Sequence, residues 1–397
     1  LIQNRIKVLV ATVALGMGFD KPDLGFVIHF QRPGSVIAYY QQVGRAGRAT
    51  NEAYGVLLSG SEDDDIQNYF IETAFPSPKV MGEIVKELER SGEIGISKLL
   101  NKINTPRGMA EKALKLLELE GAVGKDGSKY FRTPNPWQID LKRIEQVTAQ
   151  RHLEAQQMRD YLIHRGCLME FLAKALDDPQ AAPCGKCANC LGVGLKVTTT
   201  DSLVARAVEF LKHSELKIEP RKIFPQDMFA KTRIPVEFQN KEGRSLCSYG
   251  DAGWGKWVRD GKYQHGRFDD QVVSAAAQMI RERWRPRPFP KWVTAIPSRR
   301  HPTLVYDLAQ RLAEQLGLPF VPTLERVGDP PEQKTMENSA MQARNVNGSM
   351  KILPSSVRAD SVLLVDDIID SRWTLTMAGY LLKTNGARWY GMITHME

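Results

Sequence analysis

Four cysteines in the middle of the chain have the spacing of metal ligands. Cys167 is followed by Cys184, Cys187 and Cys190, in a Cys-x16-Cys-x2-Cys-x2-Cys pattern. Two successive Cys-x2-Cys steps let neighbouring thiolates point at one ion, and four thiolates form the closed tetrahedral site of structural zinc. Disulfides or reduced structural thiols are the alternatives, and the clustering favours metal. The fifth cysteine, Cys247, stands alone and is expected to be a buried thiol.

A second candidate for chemistry lies near the start of the chain, in the segment Gln-Gln-Val-Gly-Arg-Ala-Gly-Arg at residues 41–48. Arg45 and Arg48 are three apart and predicted to share one helix turn, from which both can reach a triphosphate across a domain cleft. An arginine in that position stabilises charge on a transferring phosphoryl group. The alternative interpretation is the solvated end of a basic helix, which is common for one arginine but does not explain this spacing.

The elements around these arginines indicate an α/β sheet. Ile6–Ala11 is a short apolar run typical of a buried parallel strand, and Phe26–Phe30 is a second such run. Val36–Val43 is predicted to be a helix that leads into the arginines. In such sheets, ligands bind at the loops that follow the carboxyl ends of the strands. The chain starts at Leu1 without a methionine, and we expect it to be a piece of a longer protein.

Two segments of this region resemble helicase motifs. Residues 11–22 (Ala-Thr-Val-Ala-Leu-Gly-Met-Gly-Phe-Asp-Lys-Pro) look like motif V of superfamily-two helicases, and residues 41–48 look like motif VI. The Gly-Met-Gly-Phe-Asp-Lys-Pro sequence is most similar to the RecQ family.

The resemblance implies roles for individual residues. Arg48 is the implied arginine finger with Arg45 beside it, and Gln41 is implied to lie nearer the nucleotide. Gly18 and Asp20 are implied to couple the nucleotide and DNA sites. ATP and Mg²⁺ are implied as ligands of the intact protein. The chain has no G-x-x-x-x-G-K-[ST] phosphate loop, so we expect no ATP turnover from the fragment alone.

Residues 76–136 have the pattern of a winged helix. Helices are predicted at Lys79–Ser91, at Ser97–Ile103 and from Asn104 to about Glu120, and an Asp-Gly turn then marks a hairpin. The third helix and the hairpin, or wing, of such a domain usually contact DNA. The residues predicted to do so are Thr105, Arg107, Lys125, Lys129, Tyr130 and Arg132. A winged helix used for protein contact is the alternative.

The cysteines close a predominantly helical module. Leu141–Ala175 is predicted to be helical with a turn at Gly166, and Gly192–Thr200 is a plausible linker. The cysteine spacing is similar to that of RecQ zinc domains. In most RecQ proteins the zinc module precedes the winged helix, whereas here the winged-helix pattern comes first, so that family's winged-helix contacts are not carried over.

The last half of the chain contains a buried strand that ends in two carboxylates. Residues 361–374 (Ser-Val-Leu-Leu-Val-Asp-Asp-Ile-Ile-Asp-Ser-Arg-Trp-Thr) resemble the diphosphosugar signature of type I phosphoribosyltransferases, with the ComF-like group nearest. In that family the two acids hold ribose hydroxyls and the following loop cradles a phosphate at a helix start. The residues of the phosphoribosyl-like site are Asp366, Asp367, Ser371 and Thr374. The departures from the signature are Asp370, Arg372 and Trp373.

Three further segments complete this half. Val293–Ser298 is predicted as a strand and loop, followed by the helix His301–Leu316 and the short strand Pro319–Val321. Gln333–Gly348 is polar and is predicted to be a mobile loop. Arg281–Arg300 interleaves basic and aromatic residues, so it is either a solvated surface or a patch for single-stranded nucleic acid.

Composition limits the broad class of the protein. With 397 residues, 42% hydrophobic and 25% charged, the chain is long enough for two to four ordinary globular domains. A formal charge of +8 permits nucleic-acid binding. The sequence shows no long apolar run and no signal peptide, and the clustered cysteines fit a reducing compartment, so we expect a cytoplasmic protein. The resemblance to RecQ-like helicases implies a bacterial, nucleoid-associated one.

The combined expectation is a multidomain α/β chain. Its predicted parts are a partial RecA-like lobe (1–75), a winged helix (76–136), a helical four-cysteine zinc module (137–200) and a type I phosphoribosyltransferase-like α/β domain (201–397). The order resembles bacterial RecQ-like helicases with a ComF-like carboxyl-terminal domain, which implies 3′-to-5′ unwinding, single-strand/duplex DNA junctions as partners and a monomer. The alternatives are a standalone DNA-binding module, and a phosphoribosyltransferase or nucleotide sensor.

Overall fold

The computed structural model describes residues 5–12, 20–60, 62–195 and 198–387, together with the backbone of 390–396. The chain forms two compact units. The first comprises Leu1–Gly82, Lys115–Ala122 and Pro134–Thr198, and the second comprises Glu83–Leu114, Val123–Thr133 and Thr199–Glu397. The elements of both are mixed α and β, as the sequence predicts. No helix in the described part of the chain is long and apolar enough to cross a membrane.

The first elements form a small parallel α/β arrangement. They are β1 (Phe26–His29), α1 (Val36–Val43), β2 (Tyr54–Leu57) and α2 (Glu62–Glu72), and β1 pairs with β2 in parallel. The predicted helix at Val36–Val43 is confirmed residue for residue. The strand predicted at Ile6–Ala11 is wrong, because this stretch is irregular and Val10 is 94% exposed. Within the described residues the sheet contains only β1 and β2, and an apolar run without a pairing partner has no ladder to join.

The next elements are three helices and a three-stranded sheet. They are α3 (Pro78–Ser91), β3 (Ile94–Gly95), α4 (Ile96–Leu100), α5 (Arg107–Leu119), β4 (Val123–Asp126) and β5 (Lys129–Arg132). The three helices and the hairpin are where the sequence predicts them, although α4 ends three residues earlier than expected. Gly127 has φ +54° in the turn between β4 and β5, a conformation that glycine adopts without a Cβ penalty.

A helical segment then carries the cysteines. It contains α6 (Leu141–Ile163), α7 (Leu168–Ala175) and the single turn α8 (Ala188–Leu191). The predicted break near Gly166 is confirmed, since α6 and α7 are separated by residues 164–167. Tyr39 of α1, Tyr161 of α6 and Leu172 of α7 are buried in one cluster, so the cysteine-bearing helices pack directly on α1.

The remaining elements build an α/β domain around a five-stranded sheet. In chain order they are α9 (Asp201–Lys212), β6 (Leu216–Ile218), β7 (Gly243–Ser248), α10 (Gly255–Asp260), α11 (Asp270–Gln278), β8 (Trp292–Ala295), α12 (Leu304–Leu316), β9 (Leu324–Arg326), α13 (Ser339–Val346), β10 (Met350–Ile352), β11 (Val362–Ile369), α14 (Trp373–Thr384) and β12 (Tyr390–Met396). The strand order is β6-β7-β12-β11-β8, and only β6 is antiparallel to its neighbour. Two apolar clusters lie among the strands and helices of this domain.

Two predictions for this domain need correction. The mobile loop predicted at Gln333–Gly348 is instead a short 3-10 turn followed by α13. Asn338 caps that helix, and its Ala343 and Val346 are buried in a core cluster, so a mostly polar composition concealed two core positions. The strand predicted at Pro319–Val321 is reduced to a single parallel bridge from Phe320 to Val293.

Candidate functional site

The helix before the two arginines is fixed at both ends. The Ser35 hydroxyl accepts a hydrogen bond of 3.1 Å from the Ala38 N–H at the start of α1. Gln42 faces inward, where its Oε1 lies 2.8 Å from Nε2 of His29. Burial lowers the pKa of His29, so the ring is neutral and its N–H can donate to the amide. Gln41, one position earlier, is exposed, so the structure separates the two glutamines.

The structure brings the two helicase-like segments together. A guanidinium nitrogen of Arg48 lies 2.8 Å from a carboxylate oxygen of Asp20, and both side chains are exposed. Backbone hydrogen bonds of 3.0 Å from Gly47 to Leu24 and 2.8 Å from Ala49 to Pro22 hold the same two segments side by side. Gly18 lies outside the described residues. Arg45 is partly buried, and both arginines lie in the turn that follows the last residue of α1, so the expectation that they share one helix turn is wrong.

The ion pair between Arg48 and Asp20 is weak, because both side chains are exposed to water. An exposed arginine–carboxylate pair contributes about 0–1 kcal/mol, because water competes for both groups. A phosphate oxygen offers the guanidinium a stronger partner than an exposed carboxylate. Asp20 therefore holds Arg48 only weakly.

The four sulfur atoms of Cys167, Cys184, Cys187 and Cys190 lie within 4.8 Å of one another. Four sulfurs bound 2.3 Å from one zinc ion would be about 3.8 Å apart. The Sγ atoms of Cys167 and Cys187 are separated by 3.9 Å, which fits that tetrahedron. The donor set therefore suits zinc, and the arrangement leaves no position for a catalytic water.

Local backbone geometry points the cysteines at one another. Cys167 caps α7 and Cys187 caps α8, while Gly185 between two ligands has φ +69°. The side chain of Asn189 donates hydrogen bonds of 2.8 Å to the carbonyls of both His164 and Gly166, and so ties the cysteine turn to the α6–α7 connection.

Backbone N–H groups favour the thiolate form at two of the sulfurs, those of Cys167 and Cys187, whereas hydrogen bonding with Cys187 raises the pKa of the Cys190 thiol to about 12. The Cys184 N–H lies 3.2 Å from Sγ of Cys167, and hydrogen bonds from Cys184 and Glu170 lower the pKa of the Cys167 thiol. Burial opposes the same effect at Cys187, yet hydrogen bonds from Cys190 and Leu168 bring its pKa to about 6. Thiolates are the form that binds metal.

The residues predicted to contact DNA have different environments. Lys125 is exposed with its ammonium 5.4 Å from the centroid of the Tyr130 ring, and Lys129 pairs with Glu93 at 3.3 Å. Arg107 pairs with Glu111 at 2.8 Å on the surface of α5. Arg132 is half-buried 3.5 Å from Glu89. Among these acidic partners, only Glu111 can be recognised from the sequence, because it stands four residues after Arg107 on the same helix.

The prediction for Thr105 needs correction. Its side chain is 0% exposed, so it is not on a surface that DNA can reach in this structure. A small residue just before a proline at a helix start can be either a cap or a core residue, and sequence alone does not distinguish these roles.

The two acids at the end of β11 have unlike surroundings. Asp367 forms an ion pair of 2.8 Å with the ammonium of Lys262, which follows α10 in a π-helical turn. Burial, and then the neighbouring Asp367 carboxylate, raise the pKa of Asp366 well above its usual range. The sequence analysis missed Lys262, because no local pattern marks a contact between residues so far apart in the chain.

The loop after these acids is filled by large side chains. Arg372 has φ +66°, and Trp373 is only 1% exposed, with its indole N–H donating to Oγ of Ser339 at 2.9 Å. The Ser371 carbonyl accepts a 2.8 Å hydrogen bond from Arg221, whose guanidinium lies 4.2 Å from the centre of the Trp373 ring. Thr374 is partly buried in the first turn of α14. The side chains of Arg372 and Trp373 are therefore used in internal contacts.

The basic and aromatic stretch Arg281–Arg300 has one of its aromatic residues in the core and not on the surface. Trp292 is 0% exposed in the core of the sheet. Arg283 pairs with Glu215 at 2.7 Å, and Arg299 lies beside Asp329. The proposed stacking patch is wrong for Trp292, because that residue is on a buried strand.

The first fifty residues of the chain are similar to known helicase sequences. Residues 2–50 match the family model described as the helicase conserved C-terminal domain. The chain is 27% identical over 195 residues to a probable ATP-dependent DNA helicase RecS of Bacillus subtilis, covering 48% of this chain and 37% of that protein. It is 29% identical over 202 residues to an ATP-dependent DNA helicase RecQ of Synechocystis, covering 48% and 40%. Both similarities support the chain being part of an ATP-dependent DNA helicase.

The chain spans well under half the length of these two curated relatives, 37% and 40%. Among solved structures, it matches an adenine phosphoribosyltransferase from Leishmania tarentolae with 18% identity and a TM-score of 0.22, over 32% of this chain and 72% of that chain. A second adenine phosphoribosyltransferase, from Leishmania donovani, has 17% identity and a TM-score of 0.25, over 47% and 66%. Similarities of this size do not define the fold.

Proposed function

We propose that this chain is the carboxyl-terminal portion of a RecQ-like, ATP-dependent DNA helicase that unwinds duplexes in the 3′-to-5′ direction. The observation that carries the proposal is the contact of Arg48 with Asp20, inside the part that matches the helicase domain. A helicase needs one arginine that senses the nucleotide and a link from that arginine to the DNA-bound segment. The ion pair supplies such a link.

In this proposal Arg48 stabilises the charge that develops on the γ-phosphate of ATP held with Mg²⁺ by a phosphate-binding lobe. Arg45, three residues earlier, supports the same charge. Gln41 is exposed on α1 and is assigned to the nucleotide by resemblance only. When Arg48 turns to the phosphate it leaves Asp20, so nucleotide state is passed to the segment around Asp20. Gly18 is assigned to that segment by resemblance only.

The experiment is Arg48→Ala in a protein that carries this chain together with a phosphate-binding lobe. We expect DNA-stimulated ATP hydrolysis to fall by about 10³-fold or more, since an arginine finger contributes about that much. DNA affinity, measured by fluorescence anisotropy, should stay unchanged. Arg90→Ala removes a similarly exposed arginine from α3 and should leave turnover intact. Normal turnover in the Arg48 variant would contradict the proposal.

We also propose that the four cysteines hold one structural zinc ion and that residues 76–136 act as a winged helix on DNA. The zinc proposal is supported by the sulfur geometry and by the packing of α6 and α7 on α1. The DNA proposal is supported by three helices followed by a basic hairpin with exposed Lys125 and Lys129. Zinc bound there fixes the helices that support α1 and takes no part in chemistry.

A second candidate function, binding of phosphoribosyl diphosphate, is favoured by one observation. Asp366 and Asp367 stand at the end of a central parallel strand, next to the start of α14. The ligand would have to displace Lys262 from Asp367 and to approach a loop filled by Trp373. Titration calorimetry with phosphoribosyl diphosphate distinguishes the two outcomes, because a structural loop gives no heat of binding.

A further inference from the structure

The turn between α4 and α5, residues 101–104, makes hydrogen bonds to the carboxyl-terminal α/β domain. The side-chain amide of Asn104 bonds in both directions: its Nδ2 donates to the carbonyl of Thr335 at 2.8 Å, and its Oδ1 accepts from the N–H of Glu337 at 2.8 Å. Both partners belong to the short segment that leads into α13. The amide therefore pairs with this segment as a neighbouring peptide group would.

Asn338 makes the next contact, and both the oxygen and the nitrogen of its side-chain amide form hydrogen bonds. Its Oδ1 caps α13 by accepting from Ala340 at 3.0 Å and Met341 at 2.9 Å, while its Nδ2 donates to the carbonyl of Ile103 at 2.8 Å. The residue is only 5% exposed. A buried amide with unused donors is costly, so this position is built to receive the carbonyl of Ile103.

A third contact covers the end of α4. Asn101 directly follows the last residue of that helix, where carbonyl groups lack partners within the helix. Its carbonyl accepts from Nη1 of Arg344 at 2.6 Å. The Asn101 side chain and the second nitrogen of Arg344 both donate to the carbonyl of Gln226, at 3.2 and 3.4 Å. A cation at a helix carboxyl end is also favoured by the helix dipole.

The start of α13 is also joined to the loop after β11 by a hydrogen bond. Ser339, next to Asn338, accepts the 2.9 Å hydrogen bond of the Trp373 indole. The tryptophan that departs from the phosphoribosyl signature therefore joins that loop to the helix that holds the turn.

We propose that the start of α13 is a docking surface for the α4–α5 turn, through which the α/β domain holds the start of α5 and moves with it as one body. This surface receives the carbonyl of Ile103 and the side-chain amide of Asn104, and Arg344 in the last turn of α13 receives the carbonyl of Asn101. The hydrogen bonds that support this proposal are independent of the helicase function. One consequence is that the α4–α5 turn is committed to the α/β domain, which leaves DNA to the exposed face of α5 and the β4–β5 hairpin.

The test replaces only the donors. In the double variant Asn104→Asp, Asn338→Asp, each side chain keeps its accepting oxygen, and aspartate is as good an N-cap for α13 as asparagine. Each carboxylate loses the N–H that crossed to the partner and meets a carbonyl instead. Hydrogen exchange followed by mass spectrometry on the whole chain should show exchange more than tenfold faster in both 99–106 and 333–338. Asn347→Asp, at the exposed end of α13, is the matched control and should leave both segments unchanged.

Two results would overturn the proposal: wild-type exchange in both segments, or faster exchange in 333–338 alone. Amides of β7, β8 and β11 report whether the double variant keeps its fold. If it does not, the single change Asn104→Asp carries the same test, because Asn104 is exposed and tolerates a charge.

Discussion

Asp366 and Asp367 are adjacent carboxyl groups that the fold treats in opposite ways. Asp367 has the ammonium of Lys262 at 2.8 Å, whereas burial and the charge of its neighbour raise the pKa of Asp366. From the sequence, both residues are predicted to hold ribose hydroxyls, as the two acids of the phosphoribosyl signature do. Their difference depends on Lys262, which reaches the strand from a distant π-helical turn.

Asp366→Asn is expected to stabilise the chain increasingly as pH rises. The pKa of Asp366 is higher in the folded state, so wild-type stability is fully present below the unfolded value of about 3.9 and is lost as pH rises toward the folded pKa. Asparagine does not ionise and avoids this loss. Thermal unfolding of both proteins between acid and mildly alkaline pH should show a gain in Tm that grows with pH.

Two matched variants control this result. Asp360→Asn, at an exposed position just before β11, should shift Tm equally at every pH. Asp367→Asn should destabilise the fold by about 3 kcal/mol at neutral pH, because it leaves a largely buried ammonium unpaired. A gain at Asp366 that does not change with pH would show that this carboxyl titrates normally.

Individual site residues are predicted best where the spacing of residues along the chain determines how their side chains converge. The cysteine pattern predicts convergent sulfurs, and the structure places all four within 4.8 Å. The arginine spacing predicts a shared surface, but the partner Asp20 came from the resemblance and not from periodicity. Thr105 was placed on the DNA surface, and its burial shows that a helix-start position does not determine exposure.

The β4–β5 hairpin is the element whose role in DNA binding can be tested most directly. Lys125→Glu with Lys129→Glu should lower DNA affinity and reduce the slope of log K against log salt by roughly 2, since each phosphate contact contributes about 1. Fluorescence anisotropy with forked DNA across a salt titration measures both quantities. Charge reversal at the exposed Lys241 and Lys351 is the matched control and should lower affinity much less. An unchanged slope in the hairpin variant would favour protein contact.

At the scale of elements, strong local signals were sufficient and weak ones were not. The helix predicted at Val36–Val43 agrees with α1, and the Asp-Gly turn predicted the hairpin. α13 was missed because only Ala343 and Val346 of its eight residues are buried, too few to produce an apolar stripe. The run at Ile6–Ala11 was read as a strand because composition indicates a buried strand but not the presence of its partner.

The whole molecule is organised by contacts that no local pattern predicts. The compact unit that includes the α/β domain also takes in 83–114 and 123–133. Hydrogen bonds from Asn104, Asn338 and Arg344 connect the α4–α5 turn to that domain. Such bonds join residues more than two hundred positions apart. The three boundaries drawn from sequence between the four domains stay a prediction.

Removal of zinc is expected to loosen one part of the molecule. Cys187→Ala should abolish zinc binding, measured as metal per chain, and speed hydrogen exchange in α7 and in 184–191. Amides of β7, β8 and β11 belong to the other unit and should keep their protection. Cys247→Ala is the matched control and should retain one zinc. Loss of zinc with α7 still protected would show that the metal is not structural.

The burial of Cys247 has a consequence for oxidation. Its side chain is 0% exposed, and burial raises its pKa to about 12, so it is held as an inert thiol. An oxidant that reaches the chain therefore acts on the clustered sulfurs, whose disulfide partners within reach are one another. Because Cys247 does not form a disulfide with any of them, reduction restores the same four thiols. A zinc ion bound by the cluster would therefore be released by oxidation and could bind again after reduction.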